Sequence, residues 1–324
     1  MYSAEQIRNL VNRSLQEFMA GKKPRELYEP IQYVLNNGGK RIRPILTLMA
    51  CNLFSDNVEE AIKPALGFEV FHNFTLLHDD IMDEAVLRRN QLTVHKKWNI
   101  NTGILSGDVM AILAYEYITS CRDEVLREVV NVFNQTAREV CEGQQYDMNF
   151  EQNLIVQKNS YLKMIEMKTS VLLAGCTKVG AIIGGAMPNE AIKLAEFGKN
   201  LGISFQLQDD LLDSFGDEKN FGKKIGGDIV ANKKTYLLIK ALEKSGKEQK
   251  EKIISLLNEK NVSPQKKIDE MKTIFRKLGV EKETQELINF YFKKAMEKLS
   301  TVNIREERKK EIQSLAISLL VREN

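Results

Sequence analysis

Two short stretches carry matched acidic clusters. LLHDDIMDEAVLRR (Leu76–Arg89) holds Asp79, Asp80 and Asp83, and FQLQDDLLDSFGD (Phe205–Asp217) holds Asp209, Asp210 and Asp213. On an α-helix the first and third carboxylates of each set lie one turn apart and the second lies three residues from the third, so all three can converge. Like charges at that spacing destabilise a helix unless a cation neutralises them, and the flanking apolar residues mark both helices as largely buried. Hard oxygen ligands without histidine or thiolate partners suit Mg2+, which keeps part of its water and binds one or two carboxylates together with substrate phosphates. A solvated acidic face would explain one such cluster. Two matched clusters in apolar settings point to a metal–diphosphate site.

Basic residues sit where an anion held by metal would need direct donors. GGKRIRP (Gly38–Pro44) places Lys40, Arg41 and Arg43 where a glycine-rich loop enters a helix, whose free amides add to anion binding. Arg88 and Arg89 follow the first cluster by about a turn, and His72 precedes Asp79 by seven residues, nearly on the same helical face. Lys223 and Lys224 lie in the glycine-rich loop after the second cluster. Each alone is an ordinary surface charge; together they describe two phosphate-bearing ligands.

The elements that must position these groups read as long helices. None of the six prolines lies between Pro64 and Pro188, where apolar residues recur at three- and four-residue intervals. SAEQ (Ser3–Gln6) has a capping-box pattern, while NNGG (Asn36–Gly39), GGAMPNE (Gly184–Glu190) and NFGKKIGGD (Asn220–Asp228) read as breaks. From about Lys240 the chain is rich in lysine and glutamate with apolar residues at helical spacing, the pattern of solvated amphipathic helices. His95 and Trp98 in TVHKKW read as packing residues, and the methionines as core filler. No composition shift marks a linker, so residues 1–324 are expected to form one all-α domain.

Composition excludes several classes of partner. Hydrophobic residues at 43% and charged residues at 28% suit a folded globular chain, and a net charge of +3 from 47 basic and 44 acidic residues argues against nucleic acid. Cys51, Cys121, Cys141 and Cys176 lie far apart without a C-x-x-C pair, which suggests neither zinc nor disulfides and fits the cytoplasm. The N-terminus lacks the apolar run of a signal peptide. The most apolar stretch, Val171–Met187, contains Lys178 and is shorter than the roughly 20 residues of a membrane span, so it reads as a buried helix.

Over most of residues 30–240 the chain resembles the trans-type polyprenyl diphosphate synthases, the short-chain head-to-tail prenyltransferases. The resemblance rests on GGKRIRP, HDDIMDEAVLRR, GDVM (Gly107–Met110), GQQYD (Gly143–Asp147), KTS (Lys168–Ser170), FQLQDDLLD and GKKIGGDIVANKKT (Gly222–Thr235), in the family's order. It implies a homodimeric, all-α isoprenoid synthase fold, with helices around a deep cavity and the acidic clusters at its mouth. It also implies condensation of isopentenyl diphosphate with an allylic diphosphate through Mg2+-assisted ionisation, with three ions when substrate is bound.

Roles transfer by position under this resemblance. Asp79, Asp83 and Asp209 would ligate Mg2+ directly, with Asp80, Asp210 and Asp213 helping directly or through water. Lys40, Arg43, His72 and Arg89 would hold isopentenyl diphosphate; Arg88, Lys168 and Lys233 would hold the allylic diphosphate; Thr169 and Gln206 would face the reacting carbons. Either Lys223 or Lys224 would contact a diphosphate, since two alignments of the loop favour different lysines. Asn90 departs from the family, many of whose members carry glycine there, and puts the local turn in question.

Product length follows from the same resemblance. Phe74 lies five residues before Asp79, about 7.5 Å down the helix, where an aromatic ring floors the cavity in relatives. The next residue is Thr75 rather than a second aromatic, the pattern that forms geranylgeranyl diphosphate, with farnesyl diphosphate as the alternative. A class I terpene cyclase would mix Asn, Ser and Glu in its second motif and would not need GGKRIRP. A non-catalytic subunit would have degraded acidic motifs, and these are intact.

Overall fold

Almost all regular structure in the computed structural model is helical, and it describes residues 1–17, 22–151, 153, 155–216, 225–258 and 263–320. Lys223 and Lys224 lie outside the described residues. Among those described, no helix is long and apolar enough to cross a membrane. The chain divides into two compact units, one of residues 1–135, 175–195 and 302–313, the other of residues 136–174, 196–301 and 314–324.

The first unit is built on α1 (Ala4–Glu17), α2 (Arg25–Asn36), α3 (Ile42–Asn52), α4 (Glu59–Met82), a hairpin of β1 (Leu87–Arg88) and β2 (Gln91–Leu92), α5 (Val94–Lys97), α6 (Ile100–Ile118) and the start of α7 (Asp123–Glu151). The SAEQ cap forms as its spacing requires: Gln6 N donates to Ser3 Oγ at 3.2 Å, and Ser3 N to Gln6 Oε1 at 2.9 Å. Helix α4 is buried along most of its length, from Ala61 through Phe68 to Leu77 and Asp80, which explains the apolar setting of the first acidic cluster. Phe133 of α7 anchors it, meeting Phe68 and Phe71 edge-on at 5.6 and 5.3 Å between centroids and Tyr115 of α6 at 4.9 Å.

The end of α4 is a Schellman motif. Glu84 takes the left-handed conformation at φ 51°, Glu84 N donates to Ile81 O, and Ala85 N reaches back to Asp80 O at 2.9 Å. The two-stranded hairpin that follows has no counterpart in the sequence reading, which expected Arg88 and Arg89 a helical turn beyond the cluster.

The second unit contains the rest of α7, then α8 (Lys158–Ile165), a π-helical turn at Glu166–Ser170, α9 (Val171–Ile183) and α10 (Pro188–Phe215), parts of which belong to the first unit. After a short α11 (Gly227–Val230) come α12 (Tyr236–Lys244), α13 (Lys247–Asn258), α14 (Pro264–Lys277), α15 (Val280–Ser300) and α16 (Glu306–Leu320), the last belonging to the first unit up to Gln313. The lysine-rich last third is amphipathic as expected, burying Ile239, Ile253, Ile268, Met271, Phe275 and Ile288 in one core with Tyr161, Leu207 and Tyr236. Its helix starts are chemically marked: Thr235 Oγ1 accepts from Leu238 N, and Ser263 Oγ accepts from Lys266 N ahead of Pro264.

Gly143 is where α7 passes the π-helical turn. An ideal Cβ there would fall 2.7 Å from Lys168 Cα and from the Met167 carbonyl carbon, so any side chain must displace backbone. Gly143→Ala should therefore lower unfolding free energy by about 1–3 kcal/mol in urea titrations. Gly246→Ala, where nothing lies within 4 Å, should leave it nearly unchanged.

Candidate active site

In the first unit the α4 cap sets the three carboxylates differently. Asp83 N still bonds to Asp79 O at 2.8 Å, which keeps those residues stacked one turn apart, Asp79 half-buried and Asp83 exposed. Asp80 is buried and accepts from Arg88 Nε with both oxygens, at 2.8 and 2.9 Å. Burial raises its pKa, against the pull of the Arg88 charge.

The hairpin delivers the paired arginines. Arg89 and Asn90 both have positive φ, 52° and 61°, between strands that pair Leu87 with Leu92 and Arg88 with Gln91, the two-residue turn that matches strand twist. Asn90 thus takes the left-handed conformation that asparagine tolerates, and the turn survives without glycine. Arg89 Nη1 donates to Gly38 O, and a Cβ on Gly39 would fall 2.8 Å from that nitrogen, so the GGK loop lies against the guanidinium. Lys40 is exposed on the same loop.

Arg41 and Arg43 separate sharply. Arg41, left-handed at φ 49°, donates to the buried Glu69 at 2.7 Å and to Leu35 O, and Asn73 also donates to Glu69. Its role is to hold the loop. The buried Nε of Arg43 has no hydrogen-bond partner, and desolvation lowers its pKa. His72 is held well below the usual imidazole value, first by burial and then by the charges of Arg43, Arg89, Arg88 and Arg41. An anion here would relieve both groups. The hairpin, α2 and α4 also line a small cleft that includes Tyr33, Asn73, Leu76, Asp80, Arg88 and Arg89.

Phe74 is half-buried and packs on Phe71 at 5.5 Å and on His78 at 4.8 Å. Thr75 donates its hydroxyl to His72 O at 2.8 Å. His78 in turn fills the space left by Gly107, where an added Cβ would fall 2.5 Å from His78 Cδ2.

In the second unit Asp210 is buried, accepting from the Tyr161 hydroxyl and from Gln206 Nε2 at 3.0 Å; burial and then Asp228 push it up to about 7. Asp213 accepts from Asp228 N at 2.9 Å and is pushed up to about 6 by the same two causes. Asp209 is half-buried. Lys233 lies 3.3 Å from Asp228, whose charge raises its pKa. Lys168 Nζ donates to Asp147 at 2.6 Å, and Thr169 Oγ1 donates to Gln206 Oε1 at 3.0 Å.

The three carboxylates of each cluster do not converge as their spacing allowed. Among the described residues no three acidic, histidine or cysteine side chains are grouped to hold a metal ion. The middle aspartates have donors of their own, Arg88 for Asp80, and Tyr161 with Gln206 for Asp210. Sequence reasoning assigned no role to Asp147, Asp228 or Tyr161. Asp147 and Asp228 stand inside the GQQYD and GGD motifs, acidic residues within otherwise basic or polar phosphate-type motifs, and that charge mismatch was a usable signal. Tyr161 carried none.

A helical chain with two such acidic clusters, each beside its own cations, defines the class of all-α isoprenyl synthases. The chain belongs to the polyprenyl synthetase family, whose model matches residues 24–277. A geranylgeranyl diphosphate synthase from Methanosarcina mazei is 39% identical over 239 residues, 73% of this chain and 74% of that one. A crystal structure of a geranylgeranyl pyrophosphate synthase, 40% identical, superposes with a TM-score of 0.95 over 100% of both chains. A geranylgeranyl pyrophosphate synthase from Corynebacterium glutamicum, complexed with isoprenyl diphosphate and magnesium, is 27% identical and superposes with a TM-score of 0.86 over 99% of this chain and 98% of that one.

The raised pKa of Asp210 has a signed consequence. Its folded value of about 7 lies above the usual 3.8, so the stability linked to its proton is complete below about pH 4 and lost as pH rises through 7. Asp210→Asn holds the group uncharged. Without divalent cations, its melting temperature should exceed that of the wild type by more at pH 8 than at pH 5. An equal gap at both values would show that Asp210 does not titrate in this window.

Proposed function

We propose that this chain is a prenyltransferase that condenses isopentenyl diphosphate with allylic diphosphates and forms geranylgeranyl diphosphate, its 324 residues acting as one catalytic domain. The observation that carries the reading is the group of four arginines gathered around His72. Arg43 Nε is buried without a partner, and burial followed by the charges of four arginines holds the His72 imidazole well below its usual value, an arrangement that a diphosphate would complete.

The donor set also fits Mg2+. Oxygen-only carboxylates in matched pairs, without a preformed protein cage, suit an ion that takes one or two carboxylates and its remaining ligands from phosphate and water. Asp79, Asp83 and Asp209 would hold it directly, with Asp80, Asp210 and Asp213 in support, and three ions would be present with substrate. When bound, Mg2+ neutralises charge on the leaving diphosphate.

The chain's own residues supply the rest. Arg88, Lys168 and Lys233 grip the allylic diphosphate and stabilise the negative charge that grows as its C–O bond breaks. Asp147 and Asp228 hold the two lysines in place beforehand. Lys40, Arg43, His72 and Arg89 orient isopentenyl diphosphate so that its double bond attacks the allylic carbon, with Lys223 or Lys224 as a further contact. Thr169 and Gln206 stand beside the cation. Proton loss to the departing diphosphate completes the addition.

Phe74, braced by Phe71 and His78, would close the cavity behind a twenty-carbon tail. A second copy of the chain would cover Ile104, Leu105, Ile112 and Tyr115, which α6 exposes, giving a homodimer. Four widely spaced cysteines without a C-x-x-C pair accord with a cytoplasmic setting.

Labelled isopentenyl diphosphate supplied with dimethylallyl, geranyl or farnesyl diphosphate and Mg2+ should yield a twenty-carbon diphosphate. A fifteen-carbon end product would make the chain a farnesyl diphosphate synthase. Cyclised hydrocarbon without use of isopentenyl diphosphate would make it a cyclase, and no turnover a non-catalytic subunit. Asp79→Ala and Asp209→Ala should each lower turnover at saturating Mg2+ by more than about a hundredfold with unchanged circular dichroism. Phe74→Ala should lengthen the products and Thr75→Phe shorten them, and identical chromatograms for both variants and wild type would remove Phe74 as the floor.

A further inference from the structure

A buried hydrogen-bond chain in the second unit ends at the π-helical turn. Tyr161, 2% exposed, donates its hydroxyl to Asp210 Oδ2. Asp210 Oδ1 accepts from Gln206 Nε2, and Gln206 Oε1 accepts from the Thr169 hydroxyl, both at 3.0 Å. Every link limits the next. In both of its bonds Asp210 is the acceptor, so Gln206 turns its NH2 toward Asp210 and its carbonyl toward Thr169. The Thr169 proton is thereby committed to Gln206, and only lone pairs remain on the outward side of its oxygen.

We propose that Tyr161 is a positioning residue that sets the polarity of this chain, so that Thr169 meets the allylic carbon with lone pairs rather than with its proton. The inference rests on the prenyltransferase reading, in which Thr169 stands beside that carbon. Electron density fixed beforehand against a developing positive charge stabilises it, whereas a hydroxyl proton aimed at the same carbon opposes it. Tyr161 touches no substrate. Its hydroxyl occupies Asp210 Oδ2, leaving Oδ1 for Gln206. Without it Asp210 has a buried oxygen with no donor, and the carboxyl can rotate and release the amide to flip.

Tyr161→Phe keeps the ring and deletes only the hydroxyl. We expect kcat to fall about tenfold to a hundredfold, the range found for residues that orient a directly acting neighbour. KM for isopentenyl diphosphate should stay within about twofold, because its cradle is built from other residues. The decisive measurement is the same substitution in two further backgrounds. In Thr169→Val no hydroxyl remains to be oriented, and the loss should shrink below about threefold; in Thr169→Ser it should persist in full. These ratios are taken per folded protein, so a general loss of stability cancels. A Tyr161→Phe enzyme within about twofold of wild type overturns the proposal, as does an undiminished loss in the Thr169→Val background. Absence of turnover in the wild type would overturn the prenyltransferase reading and this inference with it.

Discussion

Repulsion between like charges, held in place by the scaffold rather than relieved by it, is the constraint on which the rest of this structure depends. Around His72 the charges of four arginines accumulate, while the nearby carboxylates are already committed, Glu69 to Arg41 and Asp80 to Arg88. In the second unit Asp210 and Asp213 are both raised by burial and by Asp228. Two unit charges 4 Å apart interact by about 4 kcal/mol at an effective dielectric constant of 20, so flexible chains would let such groups separate. Here Arg43, His72, Asp210 and Asp213 sit on α3, α4 and α10, which are largely buried, and Arg88 and Arg89 on the hairpin. The apolar work of these helices is to deny the charges that escape, and under the proposed function a phosphate ligand with its counter-cation would neutralise them.

The backbone shows the same concentration of unfavourable geometry. Among the described residues five other than glycine have positive φ: Arg41, Glu84, Arg89, Asn90 and Asn232. All five fall within the chemically marked stretches, at the mouth of the GGK loop, the end of α4, the hairpin turn and the ANKK segment. Each bends the chain beside a charged side chain that must be aimed, and left-handed geometry for a non-glycine residue persists only where its surroundings enforce it. The buried Glu69 does this for Arg41, and the Schellman bonds do it for Glu84.

What could be read in the sequence follows this division. The aspartate clusters, the amphipathic last third and the serine cap of α1 announce themselves because their chemistry is local, set by residue type and spacing. Arg41 and Arg43 are two residues apart and chemically alike, yet one is a strut and the other keeps a buried Nε without a partner. That distinction depends on Glu69, twenty-eight residues away from Arg41. The hairpin that carries Arg88 and Arg89 leaves no mark in the sequence because its strands are only two residues long, too short for an alternating pattern to show. Asp147, Asp228 and Tyr161 owe their importance to tertiary partners, which no count along the chain reveals.

The π-helical turn at Glu166–Ser170 acts as a phase shifter. From Lys158 to Ile183 the backbone is continuously helical, and Lys168 lies seven residues after Tyr161. In an unbroken α-helix that interval brings a side chain back to the same stripe, which here is the buried one of Tyr161, Met164 and Ile165. The extra residue accommodated by a π turn delays the winding by up to one residue's rotation, some 100°. Lys168 is carried off the apolar stripe to meet Asp147, and the hydrophobic run resumes at Val171 with a new bearing. A lysine can thus stand directly before the apolar run of α9 without being drowned in it, because the helix around it keeps two clocks.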